Sequence, residues 1–329
     1  MKAWQVYRHG SPREALIQTE LELPIPGPGE VRLEVLVAAV GMPDLLMCRS
    51  TYPLTPGLPF VPGQEVCGVI DAVGDGVDLA IGERVMAVTN FFDGRGGFAA
   101  MTIARVDTIF RVPDDMPDAD AASFRIGYST AWNGLVRRGN LKSGETLLVL
   151  GAAGGSGVTA IQVGRALGAR VIAVAAGTEK LAFCSDAGAD VVIDRVAESV
   201  VDAIRRETDG RGVDVVYDPV GGESAKAVLD VIAPGGRMLA IGFASGSWVE
   251  VDTHHAVRRN YSLVGVYAGT KDRIAAEEDH ECLLALAADG LLGSFTRTVE
   301  FDELPDALEA IGSGQMIGKV GLQVADVDR

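Results

Sequence analysis

A glycine-rich loop is the part of the chain whose residue types and spacing most clearly indicate chemistry. It follows the apolar run from Thr146 to Leu150, precedes a helical pattern that begins at Val158, and reads Gly151-Ala152-Ala153-Gly154-Gly155-Ser156-Gly157. Because glycine lacks a side chain, a strand–loop–helix unit of this kind lets backbone N–H groups approach a pyrophosphate closely. The helix N-terminus adds the positive end of its dipole. The spacing therefore predicts a dinucleotide-binding loop, called here the phosphate loop (Gly151–Gly157).

The residues after the next apolar run indicate which dinucleotide would bind. Enzymes that bind NAD carry an acidic residue roughly 20 residues beyond the loop, where it accepts hydrogen bonds from the adenosine ribose. Gly177 occupies this position, and Thr178 and Lys180 follow it. A missing acid leaves room for a 2′-phosphate, which a hydroxyl and a cation can bind. We therefore expect NADPH as the cofactor, with Gly177, Thr178 and Lys180 among its contacts.

The composition restricts the other partners. The chain has 329 residues, a formal net charge of −16 and four cysteines, with no Cys-x-x-Cys pair. So large a negative charge disfavours binding to nucleic acid or to anionic membranes. Isolated cysteines argue against a disulfide framework or a structural zinc lobe. No apolar run reaches the about 18 residues of a membrane span, and the start lacks a signal-peptide pattern. We expect a cytoplasmic protein that acts on small molecules.

Two regions with different periodicity follow one another along the chain. The first 118 residues contain many short strand patterns, such as Val31–Val37, which predicts a barrel-like β domain. Ala119–Val136 has a helical pattern, and from Thr146 strands alternate with helices, which predicts a doubly wound parallel sheet. This alternation ends near Tyr267, and we expect the remaining tail to rejoin the first domain. The predicted domains are 1–118, 119–266 and 267–329, in the α/β class.

Several motifs resemble those of the medium-chain dehydrogenase/reductase superfamily, and within it the zinc-free quinone oxidoreductase branch that includes zeta-crystallin. The resemblance covers essentially the whole chain, and its main stretches beside the phosphate loop are 43–47, 58–65, 128–132, 217–222, 235–237 and 318–319. It implies a GroES-like catalytic domain, a Rossmann domain and a return of the C-terminus to the first. Zinc-dependent relatives use a cysteine and a histidine where this chain has Gly41 and Gln64. Neither residue can replace those ligands, so we expect no metal.

Without a metal, the substrate itself must be electrophilic. NADPH supplies a hydride, and quinones or α,β-unsaturated carbonyls can accept it without a Lewis acid. The resemblance points to Tyr52 as the catalytic residue, because a matching tyrosine is implicated as proton donor in related enoyl reductases. A packing role at the pocket wall is the alternative for Tyr52. An enoyl-thioester reductase and an NADPH-binding protein without significant turnover are the alternatives to a quinone or enone reductase.

The resemblance also implies further contacts by matching positions. Gly41, Met42, Met47 and Gln64 would line the substrate pocket, with core packing as the alternative for both methionines. The remaining cofactor contacts would come from Tyr128, Thr130, Val158, Arg195, Gly242, Phe243, Val266, Tyr267 and Lys319. Arg195 could instead be a surface residue, and Lys319 could instead anchor the tail. Relatives often form homodimers through edge strands of the Rossmann sheet, and residues 261–266 could be that edge.

Overall fold

The computed structural model describes residues 1–270 and 272–324, which divide into two compact units. The first unit comprises Met1–Ile126 and the residues from Ser294 onward, and the second comprises Gly127–Gly293. Both divisions fall later in the chain than the predicted boundaries at residues 118 and 266. Residues 325–329 of the predicted tail lie outside the described residues.

The helix Arg273–Ala288 explains why the chain rejoins the first unit later than predicted. Asp279 on this helix is buried and accepts hydrogen bonds from Trp132 Nε1 (2.8 Å) and Arg137 Nη2 (2.8 Å). Both donors belong to the second unit, so this helix packs there and the chain rejoins the first unit only at Ser294. A buried carboxylate with several donors is a long-range contact that strand and helix patterns do not reveal.

The first unit is built around a mostly antiparallel sheet that closes on itself. In chain-order numbering, its strands are β1 (Lys2–Val6), β2 (Leu16–Glu20), β3 (Glu30–Val40), β4 (Glu65–Val73), β5 (Arg84–Thr89), β6 (Met101–Arg111), β13 (Thr296–Val299) and β14 (Lys319–Gln323). The pair β1-β2 stands apart, and the six others follow the order β13-β14-β3-β4-β5-β6, with an additional β3–β6 pairing. Only the β13–β14 pair of the described strands in this sheet runs parallel. Buried and half-buried residues alternate along most of β3, so its apolar face forms part of the core. This arrangement confirms the predicted barrel-like domain.

Short helices cover the first unit, and one predicted helix is divided. The helices are α1 (Pro12–Ala15), α2 (Met42–Cys48), α3 (Asp118–Ala122) and α11 (Leu304–Gly312), whereas α4 (Arg125–Trp132) begins in this unit and lies mostly in the second. The helix predicted over Ala119–Val136 is therefore wrong as one element: it consists of α3, α4 and a π-helical turn, Asn133–Arg138. The first break lies at Ser123, whose carbonyl accepts a hydrogen bond from Lys319 Nζ instead of continuing the helix.

The second unit is a parallel sheet covered by helices. Its strands are β7 (Thr146–Val149), β8 (Arg170–Ala175), β9 (Val191–Asp194), β10 (Val213–Asp218), β11 (Ile232–Ala240) and β12 (Ser262–Gly265), in the order β12-β11-β10-β7-β8-β9. Its helices are α5 (Gly155–Ala166), α6 (Thr178–Asp186), α7 (Val200–Glu207), α8 (Gly222–Ala227), α9 (Thr253–Arg259) and α10 (Arg273–Ala288). All six strands run parallel, which confirms the predicted doubly wound α/β sheet. No helix in the described part of the chain is long and apolar enough to cross a membrane.

Candidate cofactor and substrate sites

The phosphate loop connects β7 to α5, as the sequence predicts. Gly151 has a φ of 56°, a conformation that favours glycine, and Gly154 is the N-cap of α5 with no side chain to cap the helix. The N–H groups of the first helical turn have no partner within an α-helix, so they are available to an anion. The loop therefore places backbone donors and a positive dipole end at the carboxyl edge of the sheet, where ligands bind in such folds.

The glycines of this segment serve two different purposes. A Cβ on Gly157 would lie 2.4 Å from the Gly151 carbonyl oxygen and 2.6 Å from Ala152 Cα, so this glycine allows the loop to pack on its own helix. A Cβ on Gly154 would meet only the Gly151 oxygen at 3.4 Å, and one on Gly177 would meet nothing within 4 Å. Open space beside Gly154 and Gly177 is compatible with a dinucleotide that approaches the backbone closely.

Ser156 in the phosphate loop has a partner that sequence reasoning missed. Its hydroxyl lies 3.0 Å from the hydroxyl of Tyr217, which is fully buried at the end of β10. Burial raises the pKa of the Tyr217 phenol, which therefore stays protonated and can donate to Ser156. The contact with Tyr217 thus fixes the Ser156 side chain on β10 of the sheet. A tyrosine inside an apolar run has no sequence signal that would reveal this contact.

The turn after β10 is hydrogen-bonded to the loop that follows β11. Asp218 Oδ1 accepts hydrogen bonds from the backbone N–H groups of Val220 (2.9 Å) and Gly221 (2.8 Å). The Asp218 carbonyl accepts from Gly242 N (3.2 Å), and Phe243, the next residue, stacks on Trp248 with ring centroids 4.8 Å apart. Asp218 Oδ2 is buried without a hydrogen-bond partner in the described residues, and burial raises the pKa of this carboxyl.

The predicted contacts for a 2′-phosphate lie at the neighbouring edge of the same sheet. Gly177 is the N-cap of α6, with a φ of 86°, and Thr178 is the first residue of the helix. Both are exposed, Lys180 is half-buried in the same helix, and Arg195 is exposed directly after β9. The four residues thus follow two adjacent strands, and their role as phosphate contacts stays a prediction.

Four other predicted cofactor contacts lie on the helix before β7 and after β12. The Tyr128 hydroxyl donates to Gln162 Oε1 (2.5 Å), so it serves a buried contact, while Thr130 is half-buried. Val266 N donates to the Ala240 carbonyl (3.1 Å), which continues the sheet beyond β12. Tyr267 is 56% exposed, and its carbonyl accepts from Asn133 Nδ2 (3.1 Å) in the π-helical turn. The role of these four residues as cofactor contacts stays a prediction.

In the first unit, a buried aspartate connects two of the predicted pocket segments. Asp44 accepts hydrogen bonds from the backbone N–H groups of Gly41 (2.9 Å) and Gly63 (3.0 Å), one with each carboxylate oxygen. Burial, with a smaller effect of the nearby Glu65 carboxylate, raises the pKa of Asp44 to about 7. Asp44 therefore holds Gly41 beside the segment that carries Gln64. Gln64 itself is buried, and its Nε2 has no partner among the described residues.

The predicted pocket residues of α2 have different environments. Met47 is fully buried in the hydrophobic core, so core packing, the alternative for this residue, describes it. Met42 is partly buried against the same core. Tyr52 is half-buried and packs on the core, and its carbonyl accepts from Thr55 N (3.1 Å) and Thr55 Oγ1 (2.7 Å). A proton-donor role for Tyr52 stays a prediction.

Lys319 lies inside the first unit, next to a buried carboxylate. Its Nζ donates to the Ser123 carbonyl, and Glu65 accepts from Ile126 N (2.7 Å). Burial lowers the pKa of Lys319 to about 8 and raises that of Glu65 to about 7, and the attraction between the two groups opposes both shifts. The hydrogen bond to Ser123 is compatible with an anchor for the C-terminal segment, and a cofactor contact of Lys319 stays a prediction.

The chain is similar to known oxidoreductases over nearly its full length. Residues 27–114 match the family described as alcohol dehydrogenase GroES-like domain, and residues 155–288 match zinc-binding dehydrogenase. The rat quinone oxidoreductase-like protein 2 is 31% identical over 325 residues, covering 94% of this chain and 92% of that protein.

Two further relatives bear on the chemistry. The crystal structure of Escherichia coli quinone oxidoreductase complexed with NADPH is 25% identical, with a TM-score of 0.91 and coverage of 98% of this chain and 100% of that one. A polyketide synthase subunit of Mycobacterium tuberculosis is 31% identical over 318 residues, which span 94% of this chain but 14% of that protein. The barrel-like unit, the parallel sheet and these similarities confirm the predicted resemblance: the chain belongs to the medium-chain dehydrogenase/reductase superfamily, in its quinone oxidoreductase-like branch, and is an oxidoreductase.

Proposed function

We propose that this protein is an NADPH-dependent reductase of quinones or α,β-unsaturated carbonyls. The uncapped N-terminus of α5, which presents backbone donors beside an open Gly154, carries the proposal. The NADPH complex of the Escherichia coli relative supports the choice of cofactor, as does the absence of an acid at position 177. When bound, NADPH supplies a hydride from its nicotinamide ring.

The chain's own residues would bind and orient the reactants. The phosphate loop would hold the pyrophosphate, and the sheet would fix the loop through the Tyr217–Ser156 contact. Gly41 and Gln64 stand where zinc-dependent relatives have ligands, and neither is a zinc ligand, so the reduction would depend on the electrophilicity of the substrate. Asp44 would hold the two pocket segments close together, because its carboxylate accepts hydrogen bonds from the backbone of both.

A panel of acceptors tests the proposal. We expect NADPH consumption with a soluble quinone or with an enone, measured by the loss of absorbance of the reduced nicotinamide. Faster consumption with an enoyl thioester would favour the second candidate, which the similarity to a polyketide synthase subunit supports. Tight NADPH binding without oxidation by any acceptor in stopped-flow experiments would contradict a reductase and favour a binding protein.

The Tyr52→Phe variant tests the proposed proton donor. Removing the phenol should lower the enone turnover number by about 100-fold, since positioned acids contribute roughly 10²–10⁴ in rate. Quinone turnover should change little, because hydride transfer to a quinone gives a hydroquinone anion, which can take its one proton from water. The Tyr7→Phe variant is the matched control, since Tyr7 is an exposed tyrosine of the same unit. Equal enone rates in wild type and Tyr52→Phe would remove Tyr52 from the mechanism.

We also propose that two copies associate through β12. This strand is an edge of the parallel sheet, and Leu263 within it is 47% exposed, while the nearby Val257 is 79% exposed. An edge strand with exposed apolar side chains is suited to pairing with a second copy.

Free cysteines, including the buried Cys48, Cys67 and Cys184, support the proposed cytoplasmic location.

The Leu263→Lys variant should convert the dimer into a monomer. A charge placed on each side of the interface would repel its copy across the two-fold axis. Sedimentation equilibrium measures the mass of both forms, and Ile25→Lys, at an 84% exposed position of the first unit, is the control. A wild-type protein that sediments as a monomer at micromolar concentration would contradict the proposed dimer.

A further inference from the structure

The structure brings a carboxylate to the place where the sequence spacing shows no acid. Asp194 ends β9, and its position in the sheet is opposite Ala175, the last residue of β8. Its Oδ1 accepts hydrogen bonds from the backbone N–H groups of Gly177 (3.4 Å) and Val196 (3.0 Å). The spacing rule examines the end of the second strand alone, whereas this acid comes from the third.

The place that Asp194 occupies is the N-terminal end of α6. Gly177, whose N–H group it binds, is the N-cap of this helix, and a side chain at Gly177 would meet open space. The positive end of the helix dipole and the open backbone there suit an anion. A carboxylate at the same place occupies one donor and adds a negative charge.

We propose that Asp194 is a specificity-determining residue that weakens binding of NADPH relative to NADH. The inference rests on the proposed function, in which Gly177, Thr178 and Lys180 lie at the 2′-phosphate of the cofactor. Asp194 and that phosphate carry charges of the same sign, whereas the hydroxyl of NADH can donate a hydrogen bond to the carboxylate. Lys180 and Arg195 carry the opposite charge, so binding of NADPH reflects the balance between these cations and Asp194.

The Asp194→Asn variant isolates the charge. The asparagine oxygen still accepts from both backbone N–H groups, because Asp194 uses a single oxygen for the two contacts. Removing one like charge near the 2′-phosphate should tighten NADPH binding about three- to tenfold at low salt. The NADH dissociation constant should stay unchanged or increase. Fluorescence titration of each cofactor measures the two constants.

A matched control lies at the other end of the same helix. Asp186 is exposed and ends α6, a helix of nine residues, so it is distant from the helix N-terminus. The Asp186→Asn variant makes the same chemical change and the same change in net charge, and it should leave the ratio of the two dissociation constants as in wild type. The effect of Asp194→Asn should also decrease with added salt, because ions screen exposed charges.

The outcomes separate the inference from the proposed function. If wild type binds neither cofactor, the proposed function is wrong. If wild type binds NADPH and Asp194→Asn leaves the ratio of NADPH to NADH affinity unchanged, the role of Asp194 is overturned. Thermal unfolding of the variant verifies that it is folded; if it is not, Asp194→Ser, whose hydroxyl oxygen can also accept, takes its place with the same expected shift.

Discussion

The Gly157→Ala variant should weaken NADPH binding by roughly 100-fold, since losing hydrogen bonds to the charged pyrophosphate costs about 3 kcal/mol. The added methyl group would lie 2.4 Å from the Gly151 oxygen and 2.6 Å from both Cα and O of Ala152. All three atoms are backbone, so no side chain can move aside. The phosphate loop must therefore shift away from the start of α5, and its N–H groups would no longer converge on the pyrophosphate. Titration of NADPH by fluorescence measures the loss.

Gly154→Ala is the control for this variant, because it adds the same methyl group three residues earlier. The nearest atom to that Cβ is the Gly151 oxygen at 3.4 Å, an ordinary contact distance, and the φ of Gly154 is −87°. The loop should keep its shape in this variant, so any loss of affinity would come from contact with the cofactor alone. If Gly157→Ala binds NADPH as tightly as wild type, the close packing of the loop does not matter for binding.

The Lys319→Met variant should lower the free energy of unfolding by about 3 kcal/mol at pH 8.5, because it leaves a buried carboxylate without its cation. Glu65 is buried, and the positive charge of Lys319 holds its pKa down against the effect of burial. The variant also loses the hydrogen bond from Nζ to the Ser123 carbonyl, which joins β14 to the turn after α3. Urea unfolding of both proteins measures the difference.

The pH dependence and a second substitution identify the cause of this loss. Without Lys319, the pKa of Glu65 rises above its value of about 7, so the carboxyl is protonated at pH 5.5. A group with a raised pKa contributes stability that is lost as pH rises through that pKa, so the deficit should grow between pH 5.5 and 8.5. Adding Glu65→Gln should recover most of the stability at pH 8.5. A deficit that is the same at both pH values would contradict a charge effect.

Local patterns were sufficient to predict most of the fold. The alternation of apolar strands and helices from Thr146 onward predicts the parallel sheet, because each element must be covered by its neighbours in sequence. The division of the helix predicted over Ala119–Val136 could not be foreseen. At the first break, the Ser123 carbonyl accepts a hydrogen bond from Lys319, which lies 196 residues further along the chain. The position of α10 likewise depends on buried contacts of Asp279 with distant residues.

The candidate site was predictable where it lies on one stretch of chain. The phosphate loop has a spacing that reflects its own geometry, so the sequence alone was sufficient to identify it. Tyr217, Asp44 and Asp194 act through partners on other strands or segments, at a sequence distance that no spacing rule covers. For the same reason, the sequence showed that position 177 carries no acid, but it did not show the Asp194 carboxylate beside this position.

The pairing of β14 with β3 has a consequence for the synthesis of this protein. Val40 of β3 pairs with Val320 of β14, so β3 receives this neighbour only after about 280 more residues have left the ribosome, roughly half a minute at typical rates. All strands of the parallel sheet emerge before β13 and β14, so the second unit can fold while the barrel still lacks two strands. The nascent chain must therefore keep an unfinished apolar edge from aggregating until β14 has left the ribosome.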